Sequence, residues 1–185
     1  MISKTDNPIF AALDTDDLGR ARTLADSLTG AVGGIKLGKQ FFTAHGPQGV
    51  NDVRPDGMPL FLDVKFHDIP NTVAGGIASA AKFMRPDLIT IHAGGGPAMV
   101  RAARDAAEAN AWDGGRSHIL AVTVLTSMSD EDMAAQAISG SARDHVLRLG
   151  ELALNAGADG LVCSPLEIEP LRAALGDDAL LVTPG

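Results

Sequence analysis

Short apolar runs alternate along the chain with longer stretches whose apolar residues recur at helical spacing. The runs cover 9–13, 32–37, 60–64, 88–91, 119–125, 160–163 and 180–182. Several are continuous rather than alternating, the pattern of strands buried on both faces. Between the first two, Leu18, Ala21, Ala25 and Leu28 predict a helix over 16–28, capped by Asp16 or Thr15. Further helices are predicted over 72–84, 98–109, 142–156 and 165–175, the first of them starting at Asn71 or Thr72. Gly157 reads as the stop of the 142–156 helix. Strands alternating with helices give right-handed βαβ units and a parallel sheet. Seven such strands in sequence fit an α/β fold of the (β/α)8 TIM barrel type, with strands 1–7 present and the eighth missing, better than an open sheet, although the pattern alone admits both. The expectation is one barrel domain over 1–185, incomplete at its C-terminal side. The stretch 127–141 is an insertion after the fifth strand, and Ser129-Asp130-Glu131-Asp132 within it reads as the start of a short helix.

Nearly every run ends in a polar residue on its C-terminal side. Asp14, Lys36, Asp63 with Lys65, His92, Thr126, Ser164 and Thr183 occupy those positions. In parallel barrels these strand ends form the rim on which active sites are built. The densest motif is Asp63-Val64-Lys65-Phe66-His67-Asp68-Ile69. Asp63 and Lys65, two apart on a strand, are expected on one face, with Val64 on the other. Charges placed in a barrel mouth are costly unless they serve each other. Lys36, Asp63, Lys65 and Asp68 therefore read as one alternating charge array, either catalytic or a structural ion-pair network.

Composition narrows the partners. The net charge is −8, with no basic cluster, and aromatic residues make up 4% without a single tyrosine. Both facts argue against a nucleic-acid surface. The single cysteine, Cys163, rules out an internal disulfide and fits a reducing, cytoplasmic setting. No apolar run approaches the roughly 18 residues of a membrane span, and the polar start 1–8 lacks a signal core. Partners are expected to be small molecules, with no nucleic acid and no membrane.

The motif Asp63-x-Lys65-x-x-Asp68-Ile69-Pro70-Asn71-Thr72 resembles the signature of orotidine 5′-monophosphate decarboxylases. Four more blocks resemble that family in order: Phe10-Ala11-Ala12-Leu13-Asp14, Gly34-Ile35-Lys36-Leu37-Gly38, Ala121 to Met128, and Val182-Thr183-Pro184-Gly185. The resemblance implies loss of carbon dioxide from orotidine 5′-monophosphate to give uridine 5′-monophosphate, without a cofactor or metal. Electrons left at C6 of the pyrimidine are poorly delocalised, so placed charge must stabilise them. On this reading Lys65 stabilises and protonates C6, while Asp63 and Asp68 favour its ammonium form. Asp63 also lies near the departing carboxylate. The family pattern further implies that Asp14 and Lys36 hold ribose hydroxyls, Thr126 contacts the pyrimidine, and Pro184 and Leu125 form apolar walls. It places Asp68, Ile69 and Thr72 in the partner's site, implying a homodimer with shared active sites.

A related magnesium-dependent phosphate-sugar decarboxylase or aldolase shares Asp-x-Lys-x-x-Asp, but needs a carboxylate where Lys36 stands. An inactive barrel fragment is the other alternative, because the family's phosphate-holding Arg and Gln segments follow the Thr-Pro-Gly block. The 185-residue chain by itself is accordingly expected to be poorly stable and nearly inactive. The remaining features read as structural. His92 is expected to make a hydrogen bond at the rim, Gly94–Gly96 a tight turn, and His67 to face solvent or a dimer contact. Asp14, Asp16 and Asp17 are split between a strand end and a helix start, which disfavours a shared metal. Cys163 reads as a small core residue, and Trp112 as surface or lid.

Overall fold

The computed structural model describes residues 7–185. It contains seven strands: β1 (Phe10–Ala12), β2 (Gly34–Gly38), β3 (Leu60–Phe66), β4 (Leu88–His92), β5 (His118–Val122), β6 (Gly160–Val162) and β7 (Leu180–Val182). The helices are α1 (Leu18–Ser27), α2 (Lys39–Val53), α3 (Pro70–Phe83), α4 (Gly96–Ala109), α5 (Asp130–Ala135), α6 (Ala142–Asn155) and α7 (Ile168–Leu175). The strand order is β1-β2-β3-β4-β5-β6-β7. Sequential parallel strands with helical crossovers are the arrangement of a (β/α) barrel, as the apolar runs predict. No helix among the described residues is long and apolar enough to cross a membrane.

The residues gather into two compact units, one of Met1–Val64, Gly75–Ile89 and Ala106–Ser117, the other of Lys65–Ala74, Thr90–Asp105 and His118–Gly185. In the first, β1, β2 and β3 pair in parallel, with Ala12 opposite Lys36 and Gly38 opposite Asp63. Its core includes Ile35, Leu37, Phe41, Val50, Leu60, Leu62 and Ile77, all essentially inaccessible to water. In the second, β5, β6 and β7 pair in parallel over Ile91, Met99, Ile119, Leu120, Leu161 and Leu171. β6 begins at a glycine for a steric reason. A Cβ on Gly160 would fall 2.3 Å from the Leu180 carbonyl oxygen, backbone that cannot yield. Cys163 is buried as expected, and burial pushes its thiol up to about 11, with Glu167 adding to the effect and Arg172 opposing it.

Each unit carries the same clamp at the starts of its strands. Asp87, one residue before β4, exchanges main-chain contact with Leu60 and accepts the Leu60 N–H on its carboxylate at 2.8 Å. Arg54, just past α2, donates to that carboxylate at 3.1 Å and to the carbonyls of Met84 and Arg85. Burial lowers the Arg54 guanidinium from its ordinary value, and Asp87 opposes the shift. Asp159, one residue before β6, repeats this with β5. It accepts the Ile119 N–H at 2.8 Å and Arg104 from α4 at 3.1 Å. A carboxylate thus ties an amide at the start of one strand, Leu60 or Ile119, to the entry of the next.

Several boundaries differ from the expected ones. Asp17, not Asp16 or Thr15, caps α1 by accepting the Arg20 N–H at 2.9 Å, because Thr15 Oγ1 is engaged by the Asp17 N–H. α3 starts at Pro70 rather than at Asn71 or Thr72, since proline at a first helical position sacrifices no hydrogen bond. β5 ends at Val122 instead of Leu125, and the chain then enters a turn in which the Met128 N–H reaches the Leu125 carbonyl. α2 is a helix the apolar pattern did not predict. It bends at Gly46 (φ 59°, ψ −163°) just before Pro47, so its two halves are each too short to show a clear period. The short helix after β5 forms where expected, with Ser129 and Asp132 in a reciprocal capping box.

Candidate active site

The first unit brings three of the expected site residues together. Leu13 extends the β1–β2 ladder by donating its N–H to the Lys36 carbonyl at 3.0 Å, which sets Asp14 beside Lys36. Lys36 Nζ lies 3.7 Å from Asp14 Oδ1 and 3.5 Å from Asp63 Oδ2. The two arms are unequal, with the Asp63 side chain 14% exposed and that of Asp14 71% exposed. An exposed pair contributes at most about 1 kcal/mol. The Asp14 carboxylate is therefore weakly tied and accessible, while Asp63 and Lys36 form the inner pair.

Gly38 borders this pair. Its backbone (φ −94°, ψ −174°) is ordinary extended chain, so conformation does not require glycine. A Cβ there would stand 3.9 Å from both Lys36 Nζ and Asp14 Oδ1, in ordinary contact. Gly38→Ala is expected to be tolerated, whereas Gly38→Leu would fill the space against the charges. Steady-state kinetics with a melting curve should show a loss of about 10²-fold in kcat/KM for leucine, the cost of a roughly 1 Å misplacement, without loss of folding.

On β3, Val64 is buried, while Asp63 and Lys65 on either side are half-buried. Simple strand alternation ends there, because Lys65 has φ 51°. A non-glycine residue in the left-handed region costs on the order of 1–2 kcal/mol, and such outliers persist where surrounding structure enforces them. In the second unit the Lys65 N–H donates to Thr90 Oγ1 at 2.9 Å. Thr90 lies in the middle of β4 between Ile89 and Ile91, and all three are inaccessible to water. Lys65 was singled out from the sequence, but neither its left-handed backbone nor its threonine partner was. A threonine within an otherwise aliphatic strand was the available signal.

The remaining expected residues of this unit are exposed. Asp68 lies past the end of β3, and its Oδ1 accepts the N–H of Ile69 at 2.7 Å. Ile69 is 66% exposed, and Thr72 is exposed in the first turn of α3. Thr126 and Pro184 are exposed beyond β5 and β7. Because β5 stops early, Thr126 sits in a turn rather than directly at a strand end. His67 is exposed as expected, and its ring also rests against that of His92, with centroids 5.2 Å apart. Gly94 belongs to the short turn that leads into α4, in keeping with a structural reading of this glycine run. Trp112 closes a tight turn with Gly115 through two main-chain hydrogen bonds. Among the described residues, no three His, Cys, Asp or Glu side chains gather closely enough to hold a metal ion.

Strand order and the Asp14–Lys36–Asp63 cluster define a (β/α) barrel of the kind that carries charged chemistry at its strand ends. The profile of the orotidine 5′-phosphate decarboxylase / HUMPS family matches residues 7–185, and the chain belongs to that family. It is 51% identical over 188 residues to a Rhodospirillum rubrum protein named orotidine 5′-phosphate decarboxylase, covering all of this chain and 76% of the relative. A Gluconobacter oxydans protein of the same name is 51% identical over 178 residues, covering 96% of this chain and 75% of its own length. Among solved structures, the orotidine 5′-phosphate decarboxylase of Lactobacillus acidophilus superposes with a TM-score of 0.85 at 36% identity, over 97% of this chain and 81% of that one.

Proposed function

We infer that this protein decarboxylates orotidine 5′-monophosphate to uridine 5′-monophosphate, with Lys65 stabilising and protonating C6. The observation that carries the reading is 51% identity, across the whole chain, to a relative bearing that activity as its name. The local chemistry supports it. Leaving carbon dioxide strands an electron pair at C6, and a fixed ammonium is the cheapest stabiliser in a site without an electron sink. Asp63 sits near the departing carboxylate, and its pair with Lys36 holds the Asp63 side chain in place. Asp14, exposed and only loosely tied, is free to turn to a ribose hydroxyl, and Lys36 serves the same sugar. Thr126 contacts the pyrimidine, and Pro184 forms an apolar wall.

Asp68, Ile69 and Thr72 complete the site of a second copy in a homodimer. Their exposure at the β3–α3 junction, including a largely uncovered isoleucine, suits that role. No cofactor takes part. The place where a magnesium enzyme of the family would need a carboxylate is held by the Lys36 cation.

The test is a decarboxylation assay with orotidine 5′-monophosphate in the presence of EDTA, on protein that includes the phosphate-holding segments the family carries after the Thr-Pro-Gly block. Turnover at an undiminished rate is expected. No turnover with or without added magnesium would refute the reading, and activity restored only by magnesium would transfer it to the phosphate-sugar branch.

A further inference from the structure

We propose that Thr90 is a positioning residue for Lys65: its buried hydroxyl holds the lysine main chain in the left-handed turn that aims the ammonium. The inference rests on the catalytic reading of Lys65 given above and goes beyond it to the device that fixes the side chain. Three observations meet at this point. Lys65 has φ 51° inside an element that is otherwise extended. Its N–H donates at 2.9 Å to a side-chain oxygen, Thr90 Oγ1. That oxygen belongs to a residue with no exposure to water, flanked by Ile89 and Ile91 on a strand whose first four residues are all buried.

The physical logic concerns direction. Left-handed φ at a single residue turns the Cα–Cβ bond away from where an extended strand would point it. A lysine needs that turn to be reproducible, because its long side chain amplifies any error in the main chain. Valine or isoleucine at position 90 would suit a buried strand as well as threonine does, and on packing alone would be favoured. A hydroxyl there is explained by the amide it accepts. Threonine is also stiff at χ1, so the acceptor has few places to go. His92, two residues further along β4, rests against His67, two residues past Lys65, so the chain leaving the turn is braced as well.

The test compares Thr90→Val, which keeps the shape and removes the acceptor, with Thr90→Ser, which keeps the acceptor. Both are measured beside Lys65→Ala for kcat, KM and uridine 5′-monophosphate affinity, well below their melting temperatures. The valine variant is expected to lose about 10- to 100-fold in kcat, the scale of a small misplacement, with KM and product affinity little changed. The serine variant should retain kcat within about threefold, well short of that loss. Rescue by serine and a loss confined to kcat are not results of general destabilisation. Wild-type kcat in Thr90→Val, or an equal loss in Thr90→Ser, would overturn the proposal. If the valine variant does not fold, Thr90→Ala serves in its place, and amide exchange at Lys65 decides. Faster exchange there than in the wild type, with Val64 and Ile91 unchanged, is expected, and unchanged exchange would overturn the proposal. Full turnover in Lys65→Ala would instead remove the catalytic reading beneath it, whatever Thr90 does.

Discussion

Replacing Lys65 with alanine is expected to lower turnover of orotidine 5′-monophosphate by about 10⁴-fold or more, while uridine 5′-monophosphate still binds. The magnitude follows from two roles on one group. A positioned proton donor contributes about 10²–10⁴-fold, and a preorganised charge at a developing anion about 10²–10³-fold. Lys65→Arg should not restore the rate, because a planar guanidinium cannot present a point charge and a transferable proton at the same place. Lys65 is assigned to C6 rather than to the sugar or the phosphate, so product affinity should fall by less than about tenfold, or 1.4 kcal/mol. Single-turnover kinetics and calorimetry separate the two quantities.

The second large effect is on folding. Asp159→Ala is expected to destabilise the protein by about 3 kcal/mol, from losing charge-assisted hydrogen bonds and leaving a buried amide without its acceptor. The Ile119 N–H belongs to a residue with no exposure, and the Arg104 pair is largely shielded. For a chain of this size the melting temperature should drop by roughly 10 °C. Asp87→Ala should behave similarly through Leu60 and Arg54. The contrasting control is Glu108, whose own side chain is 51% exposed in its pair with Arg116. Glu108→Ala should cost no more than about 1 kcal/mol. Thermal unfolding of the three variants checks the ranking.

What could be read from the sequence follows from what local pattern encodes. Strand starts were legible because burial on both faces leaves uninterrupted aliphatic runs such as Leu60-Phe61-Leu62. The cluster Asp14, Lys36 and Asp63 was legible because charge interrupts those runs, although β2 and β3 continue past Lys36 and Asp63. The meeting of these three is also visible in the structure. The end of β5 was misjudged because Val124 and Leu125 continue the apolar run after the chain has turned. α2 was missed because Gly46-Pro47 divides its period. The clamps at Asp87 and Asp159 were invisible because each depends on an arginine more than 30 residues away. The left-handed turn at Lys65 left no trace either, since lysine is not a residue that prefers it.

The proposed chemistry needs an ammonium group placed against the carbon that loses carbon dioxide. A crystal structure of the protein with uridine 5′-monophosphate bound measures this directly, through the distance from Lys65 Nζ to C6. A separation of about 3–3.5 Å, the range of a reactive contact, with Asp63 adjoining both, is the predicted result. A lysine turned away from the pyrimidine, with some other group against C6, would contradict it.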